Sequence, residues 1–549
     1  MSKHGSMQRE GFDRARAGLV LAVLLGAVLR LYPIRRPYWH LELQEHYARN
    51  AVVAIARHDW RPFIIHNGAA LFDSLRLVFT GWYAVGRALG AYRDRLDLLA
   101  DFIGDPFPFI VVGRLAIWCY AVIVLHLVGR LGARLAGPGA GVAAAVLSAV
   151  TFVDVRAAHH VWPDVPAAAA TLATVLAAER MLDRPSTGRL VLAGALAGVA
   201  MAFRLNAALA MLAVVVAYVG RRNAHLGRAP ILCLTATVVT YALLSPYSFL
   251  AYREALSNVA MESLKLVGPR GLSLPLGTLV PVAMGWGMPA LALVGALAAL
   301  QRARGPALVA LVFPVAFLIA LASSSILYAR YLVLVTPFVA VFAGCGAVTA
   351  SAWFGRAPRV VGAALVLLAA SGPAIHSVQL DRLLAREDTR RLAGLWILQH
   401  VPSGTRLTLP NIVRYPNPML PRNGDDIGRE YPEWAARLAE RGVGSPARTY
   451  PASYLGFFDT PAPAWAPNDR FIVTAYHPVV LSGMNPPPAY IEKLRAAGAS
   501  PVAEFEGVRE PLPPGTIYDP PDADYVPLAG FGAVTRPGPN IVIWELPPR

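Results

Sequence analysis

The chain has 549 residues, 56% of them hydrophobic and only 15% charged, with a mean hydropathy of +0.47. That balance excludes an ordinary soluble protein and indicates a polytopic α-helical membrane protein. The formal net charge of +16 comes largely from arginines at the ends of apolar runs, so it reports topology rather than a nucleic-acid surface. Cys119, Cys233 and Cys345 all lie inside apolar runs, and no disulfide framework follows.

The first span is expected at residues 17–33. Lys3, Arg9, Arg14 and Arg16 hold its start in the cytoplasm, and no small-residue cleavage site follows it, so it reads as retained. The first outer loop, residues 34–107, then begins with WHLELQEHYARN and gathers Glu42, Glu45, His40, His46, His58, Asp59 and His66 beside the membrane. Further apolar runs fall at about 69–90, 108–130, 138–155, 163–181, 188–203, 205–220, 229–250, 277–300, 306–322, 331–350 and 359–377. Asp73, Arg76 and Arg87 interrupt the run at 69–90, and charges within a span are costly. Laying that run along the outer surface puts Arg130, Arg134, Arg180, Arg184, Arg189, Arg302 and Arg304 inside. The expectation is therefore about eleven spans, with twelve the alternative, a transmembrane domain over 1–378 and an outward tail over 379–549.

The tail changes character, gathering Pro, Gly, Asp and Arg. RFIVTA (470–475) and NIVIWEL (540–546) read as strands, and DTRRLAGLWILQH (388–400) as a helix that stops before Pro402, so the tail is expected to be a small soluble α+β domain.

Asp164, in VRAAHHVWPDVPAAAA, stands at the outer mouth of a span. A carboxylate there serves either the positive end of the helix dipole or an outer cavity shared with the 34–107 loop. The outer-loop acidic motif, then His159, Pro163, Asp164, Val165 and Pro166, then Arg330 and Tyr331 with Pro337 before a late span, together resemble the GT-C superfamily of membrane glycosyltransferases. The nearest group is that of the protein O-mannosyltransferases and aminoarabinose lipid A transferases. Gln44 stands where that family carries its first acidic residue, with Glu45 after it and Glu42 two residues before.

The resemblance implies transfer of a sugar from a polyprenyl-phosphate donor to a lipid, glycan or protein acceptor at the outer face of the cell membrane. Glu45 or Glu42 would then act as base, and Asp164 as base, acceptor-orienting group or metal sharer. Arg330 would hold the phosphate, because a guanidinium fork matches phosphate oxygens. Tyr331, His159, His160, His66, Arg204 and Asn206 are the further binding candidates, the last two as a Lys-Tyr-Asn-like element. The histidines lack tight metal spacing, and a divalent metal is left open, with no other cofactor expected. A transporter or flippase of lipid-linked sugars, or a scaffold that has lost catalysis, would use the same cavity without reacting.

Overall fold

The computed structural model describes residues 3–35, 46–62, 65, 67–220, 227–264, 275–324, 327–355, 357–411, 416–455, 465, 469–478, 485–519 and 524–547. In chain order its first helices are α1 (Lys3–Leu31), α2 (His46–Arg57), α3 (Ala69–Ala88), α4 (Arg95–Gly104), α5 (Phe107–Ala136), α6 (Pro138–Val150), α7 (Phe152–Ala158), α8 (Asp164–Asp183) and α9 (Thr187–Phe203). A 3-10 segment, Leu205–Ala210, leads into α10 (Met211–Gly220) and α11 (Ala229–Leu244), followed by α12 (Tyr247–Leu250), α13 (Tyr252–Leu264), α14 (Leu276–Met284), α15 (Gly287–Arg302) and α16 (Arg304–Ala322). A second 3-10 segment, Ala329–Leu334, precedes α17 (Thr336–Ala352) and α18 (Pro358–Leu384).

The chain divides into two compact units. The first comprises Met1–Ile34, Trp60–Leu77 and Val112–Val378, and the second Arg35–Asp59, Val78–Val111 and Gln379–Arg549. The sequence reading placed the whole 34–107 loop with the membrane domain, whereas two of its segments belong to the second unit. Within that unit Arg57 bonds Glu433 at 2.5 Å, and Arg441 bonds Asp94 and Asp97 at 2.7 Å each.

The first unit is a helical bundle packed through small residues. A Cβ on Gly295 of α15 would lie 1.9 Å from the Phe342 carbonyl, and one on Gly346 of α17 would lie 1.9 Å from that of Leu291. The two backbones approach closely only because neither position carries a side chain. On α11, Thr237 Oγ1 donates to the Gly194 carbonyl of α9 at 2.9 Å.

Each apolar run of the sequence forms helix, but the runs are not all single straight spans. Among the described residues, four helices are long and apolar enough to cross a membrane, beginning at Phe107, Asp164, Arg304 and Pro358. The count rises to six if α6 with α7, bent by 61°, and α14 with α15, bent by 94°, each make one span. Gly285, at φ +67°, takes the second bend in a backbone region that side chains disfavour. The apolar helices at 187–203, 205–220, 229–244 and 336–352 are shorter. The charged α3 is not among the candidates.

In the second unit, α19 (Thr389–His400) packs on a five-stranded sheet of order β2-β1-β3-β5-β4, formed by β1 (Leu407–Leu409), β2 (Ala452–Tyr454), β3 (Phe471–Tyr476), β4 (Ser500–Phe505) and β5 (Asn540–Glu545). The β1 strand runs parallel to β2 and β3, while β5 is antiparallel to β3 and β4. Strand alternation splits the core: Phe471, Val473 and Ala475 join Ile397 of α19, whereas Ile472 joins Tyr490 and Leu494 of the helix Pro488–Ala496. Between β1 and β2 lie the short helices Gly424–Glu430 and Ala435–Ala439.

His477, 1% exposed, follows β3 with its ring 4.5 Å from that of Tyr518. Burial pushes its pKa down from 6.5 to about 4. A folded-state pKa below the unfolded one makes protonation oppose folding, so stability falls as pH drops from about 6.5 to about 4, by up to about 3 kcal/mol. Thermal unfolding of the second unit should therefore show a lower Tm at pH 4.5 than at pH 7 (chosen conditions either side of about 6.5). A His477→Phe variant should lose part of that difference, and an unchanged acid slope would show that His477 does not set it.

Candidate functional site

The site forms in the first unit, where three turns of the chain meet at one end of the bundle. The helices α8 and α9 form a hairpin, so Asp164 at the start of α8 and Arg204 just past α9 share an end, while Arg180, Arg184 and Arg189 occupy the other. Pro163 is the N-cap of α8 and no side chain caps it. Asp164, 1% exposed, instead accepts a hydrogen bond and ion pair at Oδ1 from Arg204 Nη1. The carboxylate also lies in the first turn of α8, at the positive end of its dipole. A buried carboxylate in an apolar bundle needs a cation close by, and Arg204 is that cation.

Arg204 is held in extended conformation (φ −147°, ψ 125°), its N–H donating to Ala200 O at 2.9 Å, and it forms an antiparallel bridge with Asn67. Two residues earlier, the Ile65 carbonyl accepts from Ser248 Oγ at 3.1 Å and Ser245 Oγ at 3.3 Å. Ile34, at the loop's start, accepts from Arg114 at 3.1 Å. The stretch that carries the acidic motif is therefore fastened within the bundle unit at Ile34 on one side and at Ile65 and Asn67 on the other.

Arg330 arrives on the 3-10 segment Ala329–Leu334, which packs on α7 and α8. Its guanidinium carbon lies 4.4 Å from the ring centre of Trp162, 5.1 Å from that of Tyr328 and 5.6 Å from that of Tyr331. Arg204 lies 5.4 Å from the same Tyr331 ring, which links the two cations. The Arg330 Nε is buried and has no hydrogen-bond partner among the described residues. Asp164 is already engaged by Arg204, so Arg330 supplies an N–H available to an anion.

His159 and His160 are buried beside this cluster, 2% and 3% exposed, with the His160 ring 5.1 Å from Trp162. Asn206 lies in the 3-10 segment directly after Arg204 and is exposed. Structure therefore brings together Asp164, Arg204, Arg330, Tyr331, His159 and His160. Glu42, Glu45 and His66 lie outside the described residues. Trp162 and Tyr328 were missed in the sequence, although Trp162 stands two residues from Asp164 and Tyr328 two from Arg330. Among the described residues, no three His, Cys, Asp or Glu side chains converge in a metal-binding group.

Beneath the cluster, Asp154 on α7 accepts a hydrogen bond from Thr336, the first residue of α17. It shares a small cavity with Arg30, which donates to the carbonyls of Ser148 at 2.8 Å and Ala149 at 2.7 Å.

Residues 107–249 match the family described as dolichyl-phosphate-mannose-protein mannosyltransferase. The resemblance to GT-C membrane glycosyltransferases carried by the motifs is borne out over that segment, which holds His159, Asp164 and Arg204. No curated protein sequence matches significantly. Among solved structures, the chain is similar to apo ArnT from Cupriavidus metallidurans at 17% identity and TM-score 0.49, over 98% of this chain and 100% of that one. It is also similar to the oligosaccharyltransferase AglB from Archaeoglobus fulgidus, at 13% identity and TM-score 0.45, over 84% of this chain and 69% of that one. A third likeness is to the arabinofuranosyltransferase AftD from Mycobacteria, at 15% identity and TM-score 0.45, over 97% of this chain and 42% of that one.

The ion pair is testable by a double-mutant cycle read in apparent Tm. Arg204→Gln strands a buried carboxylate and should destabilise strongly, as broken buried pairs do by about 3–5 kcal/mol. Asp164→Asn combined with Arg204→Gln should recover part of the loss, whereas strictly additive effects would mean that the pair is not coupled.

Proposed function

We propose that this protein is an integral membrane glycosyltransferase that moves a sugar from a polyprenyl-phosphate carrier to a lipid, glycan or protein acceptor at the outer face of the cell membrane. The observation that carries the reading is Arg330, a half-buried cation framed by three aromatic rings, whose buried Nε has no hydrogen-bond partner among the described residues, while Arg204 engages Asp164. Such a group suits a phosphate that gains charge as the glycosidic bond breaks. The match of residues 107–249 to a family named for a dolichyl-phosphate-linked mannose donor supports the same chemistry.

In this reading Arg330 holds the phosphate, and Trp162, Tyr328 and Tyr331 fix the guanidinium while excluding water. Asp164 holds Arg204 in place, and Arg204 stands as the second cation near the leaving group. The acceptor proton goes to Glu42 or Glu45, in the stretch fastened at Ile34–Arg114 on one side and at Asn67–Arg204 on the other. Sidedness follows from the arginines at the α8–α9 turn: with that turn in the cytoplasm, Asp164 and Arg204 face outward, and the tail 379–549 lies outside.

Purified protein given a radiolabelled polyprenyl-phosphate sugar should transfer label to acceptor. Arg330→Ala should lower kcat/KM about 100-fold or more, the scale for losing a group that stabilises developing charge. Glu42→Gln or Glu45→Gln should abolish transfer, and full activity in both variants would remove these carboxylates as base. Movement of the labelled lipid across a vesicle membrane with no transfer would overturn the enzymatic reading. Alkaline phosphatase fused after Arg549 should be active in a bacterial host, and an inactive fusion would place the tail inside.

A further inference from the structure

The second unit contains a cleft of about 440 Å³ that the proposed transfer reaction does not use. We infer that this cleft is a binding site for an uncharged saccharide.

Its position is the first reason. Leu409 and Tyr454, the last residues of the parallel strands β1 and β2, line it, and so do residues 417–422 and 441–446 of the connection between those strands. The ends of α4 at Ile103 and Gly104 complete the wall. Open α/β sheets bind ligands outside the carboxyl ends of their parallel strands, and the volume falls within the range of about 300–1000 Å³ for small-molecule sites.

Charge selects the ligand. Each charged side chain on the wall already has a partner of opposite sign: Arg422 bonds Glu430 at 2.6 Å, Arg441 bonds Asp94 and Asp97 at 2.7 Å, and Asp426 bonds Arg429 at 2.6 Å. A charged ligand finds no uncompensated counter-charge and would have to break one of these pairs. A purely apolar ligand is equally unsuited, because it would strip water from Arg422, Asp426 and Arg441 without replacing the lost hydrogen bonds.

What fits is a neutral molecule that alternates hydroxyls with flat C–H faces. Tyr454 supplies a ring, with the Arg429 guanidinium carbon 5.3 Å from its centre and Arg429 Nη2 donating to its hydroxyl at 3.3 Å. Pro418, Pro421 and Pro446 add rigid apolar surface that loses little entropy on binding. The cleft is thus assembled for a sugar ring over Tyr454, with its hydroxyls toward the paired charges.

The test uses the full chain in detergent on a glycan array that carries neutral and acidic oligosaccharides. Retention on at least one neutral glycan is expected. Tyr454→Ala, which removes the ring, and Val443→Trp, which fills the cleft, should each weaken it about tenfold or more, while Tyr454→Phe keeps it. Arg330→Ala should leave binding unchanged, which separates this cleft from the bundle site and from the transfer reading. No neutral glycan bound, acidic glycans alone bound, or binding indifferent to both Tyr454→Ala and Val443→Trp would overturn the proposal. So would binding lost in Arg330→Ala.

Discussion

A carboxylate buried at the head of a helix in an apolar bundle is costly without a cation beside it, and the pairing of Asp164 with Arg204 satisfies that constraint. The consequences spread outward. Because Arg204 must reach the start of α8, the chain leaves α9 in extended form and turns through a 3-10 segment before α10 begins. That extended residue is also the one that bridges Asn67, so the loop rich in titratable residues returns to the same end of the bundle as the pair. With Asp164 paired to Arg204, the Nε of Arg330 is left without a hydrogen-bond partner among the described residues.

A second buried network supports the first. Asp154 sits just after the 61° bend between α6 and α7 and takes the hydroxyl of Thr336, the residue that starts α17 directly after the segment carrying Arg330 and Tyr331. At the bend the Ser148 carbonyl accepts the Thr151 N–H at 3.4 Å, and Arg30 of α1 donates to it and to the Ala149 carbonyl. One broken helix therefore both offers the carbonyls that fix Arg30 and aims the carboxylate that fixes the approach to α17. Rigid placement of Arg330 follows from this buried scaffold rather than from the exposed part of its own short segment.

What could be read from the sequence follows the physics of each signal. Apolar runs near the length of a span announce helices whatever their neighbours do, so α5, α8, α16 and α18 were legible, as were the strand at 470–475 and the helix closed by Pro402. Composition is blind to backbone direction, which is why the runs at 138–155 and 277–300 gave no warning of bends at Thr151 and Gly285, apart from the glycine itself. Asp164 and Arg204 were each legible as outer-end residues from the positive-inside pattern, but their pairing was not, because it joins positions 40 residues apart. Trp162 and Tyr328 went unread because an aromatic beside a membrane end is ordinary there. Only the position of Arg330 between them gives them a role. The membership of 35–59 and 78–111 was hidden for the same reason: Asp94, Asp97 and Arg57 look like loop charges until their partners at 433 and 441 are known.

The two units handle charge in opposite ways, and this separates their chemistry. In the second unit every charged group around the cleft is answered by a neighbour. Burial would push the Asp97 carboxyl up, but the Arg441 hydrogen bond and the backbone N–H groups of Arg93 and Asp94 outweigh it and hold it below the usual carboxylate range. Such a surface can discriminate shape and hydroxyl pattern but has nothing left with which to stabilise a charge that appears during a reaction. In the bundle unit Arg330 is held by aromatic faces that orient it without neutralising it, and its Nε has no hydrogen-bond partner among the described residues. Charge development needs an uncompensated, preorganised partner, and recognition of a neutral ligand does not. On the proposed function, the group suited to developing charge is therefore Arg330 of the bundle, and the paired charges of the cleft beyond β1 and β2 suit binding alone.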